Sequence, residues 1–347
     1  MIELGTTDEE GKLVFQADLP HGKYYIQEVE HKPGYLPNDE VYSFDASYTD
    51  QTLELLAFSE EISNQPTITE FTKVDLTGGQ EIEGAKMQIL DQEGKVVEEW
   101  VSKKEAHVVY ALAPGEYILH EEQAPTEQGY VRAEDVKFVV EETGDVQKVK
   151  MEDDHTKVSI SKTDITDGKE IEGAKLQILD QDGEVVESWT TGEEHLIEYL
   201  PVGTYTLHEE AAVDGYIVAN DVEFTVEETG EIQKVKMEDE RAMGQLVIVK
   251  TDTDSKAALE GVEFVLLEKE TGKEVGRLKT GKDGKAVSEL LPIGTYENGV
   301  FKEPITYVLK ETATLKGYEK TEEEWEIVFT YPVSYTHLRA HETVLDL

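Results

Sequence analysis

Cysteine is absent from all 347 residues, which excludes disulfides, thiolate-zinc clusters and thiol catalysis. Basic charge is scarce: 32 Lys and Arg stand against 76 Asp and Glu, a net charge of −44. Such an excess repels phosphate backbones and anionic lipid, so neither nucleic acid nor a membrane surface is an expected partner. No apolar run approaches the roughly 18 residues of a membrane span, and no membrane insertion is expected in this stretch. The start, Met1-Ile2-Glu3-Leu4-Gly5, lacks the basic and apolar regions of a signal peptide. Long helical periodicity is missing, and so are a Ser-His-Asp order, a P-loop and a dinucleotide fingerprint. No cofactor, no metal and no enzymatic turnover of an external substrate are expected.

What the chain does have is enough apolar residues for small cores, 38% of the total, together with 16 tyrosines. It also repeats itself. Residues 81–92 (EIEGAKMQILDQ) return almost unchanged at 170–181, and 139–151 (VVEETGDVQKVKM) return at 225–237 as TVEETGEIQKVKM. A looser copy begins near Leu246, where Leu259-Glu260-Gly261-Val262 stands for the Ile-Glu-Gly-Ala segment. The first residues resemble the back part of one more copy, since Gly22-Lys23-Tyr24-Tyr25-Ile26-Gln27-Glu28 matches Gly115-Glu116-Tyr117-Ile118-Leu119-His120-Glu121. Repeats of this length are self-contained domains in tandem and not the short units of a solenoid. The expected divisions are 1–66, a partial unit lacking its opening strands; 67–155 and 156–241, two complete units; and 242–332, a unit lacking its closing strand. The tail 333–347 (VSYTHLRAHETVLDL) fits no element of the repeat and is read as translated adaptor, with the chain truncated at both ends.

Within a unit, short alternating runs are separated by turns such as Asp91-Gln92-Glu93-Gly94, Asp180-Gln181-Asp182-Gly183 and Lys282-Asp283-Gly284. Leu200-Pro201-Val202-Gly203 and Leu291-Pro292-Ile293-Gly294 mark another turn, each leading into a tyrosine strand. About seven strands in fewer than 90 residues indicate an all-β fold, an antiparallel β-sandwich in each unit.

The two-residue alternation of strands then places charges on apolar faces. Tyr117, Leu119 and Glu121 share a face, as do Tyr205, Leu207 and Glu209, then Tyr307, Leu309 and Glu311, and Tyr24, Ile26 and Glu28. The opening strands do the same with lysine: Phe71 with Lys73, Ile160 with Lys162, Ile248 with Lys250. The closing strands do it with an acid or amide. Val149, Met151 and Asp153 align, as do Val235, Met237 and Asp239, and in the first unit Ile62 and Asn64 hold the equivalent place. Asp154 faces away from Asp153 and stays open as the alternative acceptor.

Burial raises a carboxyl pKa and lowers a lysine pKa. An inward lysine that loses its proton is a nucleophile, and a polarised carboxyl beside it is the electrophile it can attack. Their condensation forms an amide and releases water from Asp or ammonia from Asn, with the glutamate shuttling protons. The alternative is an ordinary buried salt bridge, or strands twisted so that these groups reach the rim. Recurrence of the same triple in successive copies favours the reactive reading.

Phe71-Thr72-Lys73-Val74-Asp75, Gly84-Ala85-Lys86-Met87, Tyr117 to Glu121 with Ala124-Pro125 and Gly129-Tyr130, and Val149 to Asp153 closely resemble the collagen-adhesin B-type domain. That family includes the SpaA-type pilin modules of Gram-positive bacteria. The resemblance implies tandem prealbumin-like Greek-key sandwiches in which an opening-strand Lys bonds covalently to a closing-strand Asn or Asp, promoted by a Glu. Carried over, it pairs Lys73 with Asp153 and Glu121, and Lys162 with Asp239 and Glu209. Lys250 and Glu311 match an incomplete site without an acceptor, and Glu28 and Asn64 one without a lysine. The implied role is a mechanical stalk or adhesin module of an extracellular, cell-wall-anchored surface protein, whose signals lie outside this stretch.

Two other roles are considered. The units could bind a host extracellular-matrix protein or glycan, or serve as accessory β-domains of a secreted hydrolase. Among minor candidates, His120 and His208 alternate to the face opposite the glutamate and are expected in solvent. Asp252-Thr253-Asp254-Ser255 and Asp180 to Gly183 have a hint of calcium-loop spacing but lack the later glutamate, so turns are expected. Trp100 and Trp189 occupy equivalent positions and are expected at the core or its rim.

Overall fold

The computed structural model describes residues 2–47 and 58–330 and, as backbone, the strand His341–Asp346. Nearly all regular structure is β, and no helix is long and apolar enough to cross a membrane among the described residues. The chain forms two compact units, residues 1–125 with 132–154 and residues 126–131 with 155–347.

The 67–155 repeat folds as two facing sheets. In the first, the opening strand Ile68–Asp75 lies between His107–Tyr110, antiparallel to it, and the closing strand Val146–Asp153, parallel to it. In the second, the order is Val96–Val101, Lys86–Leu90, Gly115–Gln123, Val136–Val140, all antiparallel. The expected seven strands are therefore present. Alternation explains the core: Phe71, Met87, Ile89, Leu119, Val149 and Met151 point between the sheets and are buried.

The 156–241 repeat reproduces this plan strand for strand. Lys157–Asp164 lies between His195–Glu198 and the parallel Ile232–Asp239. Opposite them run Val185–Thr190, Lys175–Leu179, Gly203–Ala211 and Val222–Val226. First and last strands of these two repeats are thus direct neighbours within one sheet.

The first repeat contributes a hairpin, Lys23–Gln27 with Val41–Asp45. The fourth departs from the sequence reading twice. The turn ending at Gly294 leads into an inserted hairpin, Gly294–Glu297 with Val300–Pro304, and only afterwards into the tyrosine strand Thr306–Ala313. Gly294-Thr295-Tyr296 imitates the Gly203-Thr204-Tyr205 start, so local pattern alone could not separate the two. The second departure concerns the tail, which was expected to fit no element: His341–Asp346 pairs in parallel with Met243–Val249, at the edge the closing strand holds elsewhere. An unpaired strand edge offers a row of donors and acceptors to any alternating extended segment, and His-Glu-Thr-Val-Leu-Asp is one.

Candidate functional site

The parallel register aligns Lys73 with Met151 and Asp75 with Asp153. Lys73 and Asp153 therefore share a face, two residues apart along the strands, about 7 Å of rise that the lysine stem spans. Glu121 enters from the third strand of the facing sheet. All three side chains are withdrawn from water, with exposures of 3%, 0% and 0%. Lys73 Nζ donates to Asp153 Oδ1 and, at 3.0 Å, to Glu121 Oε2. The Ala133 amide donates to the same Glu121 oxygen at 2.7 Å and holds the carboxylate in place.

The 156–241 repeat builds the same site. Lys162 Nζ donates to Asp239 Oδ1 and lies 3.0 Å from Glu209 Oε2, while the Ala219 amide reaches that oxygen at 2.6 Å. Lys162, Glu209 and Asp239 are 1%, 1% and 0% exposed.

Two acids and one lysine leave one negative charge too many for a dry site. Burial pushes the Asp153 carboxyl up to about 7, Lys73 opposing the rise and Glu121 adding to it. Asp239 rises to about 7 for the same reasons, with Lys162 opposing and Glu209 adding. In each site one oxygen of each acid, Glu121 Oε1 with Asp153 Oδ2 and Glu209 Oε1 with Asp239 Oδ2, has no hydrogen-bond donor among the described residues. A single proton on the aspartate would supply the missing donor. The arrangement can therefore place an amine against a neutral carboxylic acid, with a glutamate beside both.

The remaining sequence candidates fall into place unevenly. Asn64 Nδ2 donates to Glu28 Oε2 at 2.8 Å, so acid and amide meet in the first repeat as the alternation implied. Lys250 pairs with Glu311 at 3.2 Å, with 17% of the lysine side chain exposed. Of the two acids of the added strand, Glu342 stands opposite Gln245 and Asp346 opposite Val249, one residue short of Lys250. Asp154 is partly exposed, whereas Asp153 is the inward residue. His120 and His208 take the outer face and pair with Asp135 and Asp221, each at 2.7 Å. Trp100 and Trp189 pack at the core margins and stack on His107 and His195 at 4.3 and 4.5 Å. The acidic loops are turns: Asp252 Oδ1 accepts from the Ser255 amide at 2.7 Å, and Asp180 Oδ1 from the Glu184 amide at 2.9 Å.

Sequence reasoning missed the backbone amides of Ala133 and Ala219. Their signal is positional: each lies four residues after the glycine of a Gly-Tyr pair, as does Asn38, whose amide donates to Glu28 at 2.9 Å.

The SpaA prealbumin-like fold domain matches four stretches, 2–58, 67–155, 156–241 and 244–337. No curated protein matches. Among solved structures, the Bacillus anthracis TIE protein is 26% identical with a TM-score of 0.54, over 89% of this chain and 54% of that one. The chain thus spans about half the length of that relative. BcpA, the major pilin subunit of Bacillus cereus, is 15% identical with a TM-score of 0.45, over 81% of this chain and 98% of that one. The shaft pilin SpaA of Lactobacillus rhamnosus GG is 13% identical with a TM-score of 0.26, over 51% of this chain and 98% of that one.

Proposed function

The chain belongs to the SpaA prealbumin-like domain family, and from that premise we propose that it is a structural stalk module of a bacterial surface protein, braced by self-formed isopeptide bonds. The bonds are Lys73–Asp153 and Lys162–Asp239. The observation that carries this reading is the triad itself, one lysine and two acids, buried with the same contacts in two successive repeats.

The chemistry needs no cofactor. The Lys73 ammonium first passes one proton to Glu121. The neutral amine attacks Cγ of protonated Asp153, and the C–N bond forms. A second proton moves from the nitrogen by way of Glu121 to the aspartate hydroxyl, which leaves as water while Glu121 ends protonated and neutral. Glu209 serves Lys162 and Asp239 in the same way. The product amide carries no charge, so the cost of keeping ions in a dry interior disappears. A glutamate held by Ala133 or Ala219 stays aimed at both partners throughout, which is the positional requirement of general acid–base catalysis.

Such a link joins the first strand of a repeat to its last. Tension entering at one partner leaves at the other and bypasses the residues between. By analogy with disulfide loop closure, the bond stabilises by about 4–5 kcal/mol. A cysteine-free chain gains a cross-link that no reductant opens. Surface location and service in a pilus or adhesin stalk follow from this reading and from the family.

Intact mass of the full chain tests it. Two waters are expected to be missing, one restored by Lys73→Ala and one by Lys162→Ala. A well-folded chain of unmodified mass would falsify the proposal.

A further inference from the structure

Four Gly-Tyr turns recur along the chain, and they differ in what lies against them. The clearest is Gly215-Tyr216, whose surroundings all belong to the second compact unit. The Gly215 carbonyl accepts from the Ala242 amide at 2.7 Å and from the Tyr296 hydroxyl at 2.5 Å. Ala242 starts the entry into the fourth repeat, and Tyr296 sits on the inserted hairpin. The Tyr216 and Tyr296 rings meet edge to face at 5.2 Å, and the Arg241 guanidinium lies 4.4 Å from the Tyr296 ring centre. Gly215 has φ +87°, and a Cβ there would stand 2.5 Å from Phe301 and 2.8 Å from the Tyr296 hydroxyl. Four residues on, the Ala219 amide donates to Glu209.

The first repeat has the same device inside the other unit. Gly34 (φ +91°) accepts from the Thr67 amide at 2.8 Å, and a Cβ there would stand 2.1 Å from the Ala111 carbonyl oxygen. Four residues on, the Asn38 amide donates to Glu28. The fourth repeat is the contrast. Among the described residues, nothing lies within 4 Å of a Cβ placed on Gly317 (φ +97°), Tyr318 is 42% exposed, and Glu311 receives no backbone amide. At the two covered turns the glutamate is held by an amide; at Gly317 the glutamate has, among the described residues, only its lysine.

We propose that the Gly-Tyr turn is a socket for the entry of the following repeat, and that its occupation positions the proton-carrying glutamate of the repeat that owns it. The inference rests on the isopeptide reading of Lys162 and Asp239. Tyr296 and Gly215 are positioning residues: they clamp the start of a short segment whose end, Ala219, steadies Glu209. A released turn lets that end drift, and Glu209 keeps Lys162 as its remaining donor. Bond formation in one repeat then depends on the presence of the next, so a stalk cross-links as it is assembled from successive repeats. The chemistry a partner needs in order to fill an open socket is equally defined: a backbone amide to reach the glycine carbonyl and a hairpin aromatic to cover the turn.

The test uses the full chain and two readouts. One is hydrogen exchange at the Ala219 and Ala242 amides. The other is the fraction of Lys162–Asp239 cross-link completed at fixed times after synthesis, with Lys73–Asp153 as internal reference. Tyr296→Ala is expected to speed exchange at both amides roughly tenfold and to lower the early cross-linked fraction severalfold. Tyr296→Phe removes only the hydroxyl donor and gives a smaller change of the same sign in a folded chain. Tyr318→Ala is the control expected to change neither readout. Unchanged exchange at Ala219 overturns the proposal, and so does faster exchange with an unchanged cross-linked fraction. If the parent chain shows neither cross-link, the isopeptide function itself has failed and the coupling falls with it, a result distinct from the other two.

Discussion

The proposed chemistry turns on Asp153 and Asp239, because a carboxylate resists attack by an amine more strongly than a carboxylic acid does. Burial raises both to about 7. The raised value fixes the sign of two pH effects. Before bonding, the folded chain keeps a proton that the unfolded chain releases between about pH 4 and 7. Stability from this group is therefore full below the lower value and declines as pH rises through the upper one. Bond formation, followed by mass in freshly synthesised chain, is expected to slow as pH rises through about 7. Glu121→Gln keeps the shape of the side chain and removes its proton transfer. The Lys73–Asp153 bond is then expected to form slower by about 10²–10⁴-fold, while Lys162–Asp239 forms normally. Equal rates at both sites would reject the proton-shuttle role.

At the scale of elements, the consequence is topological. The opening and closing strands are parallel neighbours, so the proposed bond encloses every strand between them. Lys103 and Lys104 lie in an exposed loop inside that closed segment. A tryptic nick there is expected to leave two fragments that still migrate together after denaturation, and that separate in Lys73→Ala. Alternation within strands was legible directly from the chain, since Tyr117-Leu119-Glu121 and Phe71-Lys73 place their faces by counting in twos. The inserted hairpin at Gly294 was not legible, because Gly-Thr-Tyr begins either a tyrosine strand or the insertion. Nor was the pairing of His341–Asp346, whose position depends on an edge left open by another strand. The amides of Ala133 and Ala219 were hidden for a third reason: backbone donors carry no residue-type signature.

For the whole molecule, repetition matters more than any single site. Two repeats carry complete triads, one has an acid and an amide, and one has a lysine and an acid. Calorimetry of the full chain is therefore expected to show at least two transitions, the cross-linked 67–241 portion unfolding last. Lys73→Ala and Lys162→Ala together should lower that last transition toward the others. The net charge of −44 keeps copies apart in solution, an effect that salt weakens.

Composition, repeat spacing and two-residue alternation by themselves determined the all-β class, the division into repeats and the inward direction of lysine, glutamate and aspartate. These are local properties: strand geometry turns every second residue to the same side, wherever the strand lies. Which inward groups meet is a different matter. The contact of Lys73 with Asp153 depends on a parallel register across 80 residues of chain, and Glu121 arrives from the opposite sheet. Only the folded sandwich brings them together, and only its exclusion of water raises the two aspartates.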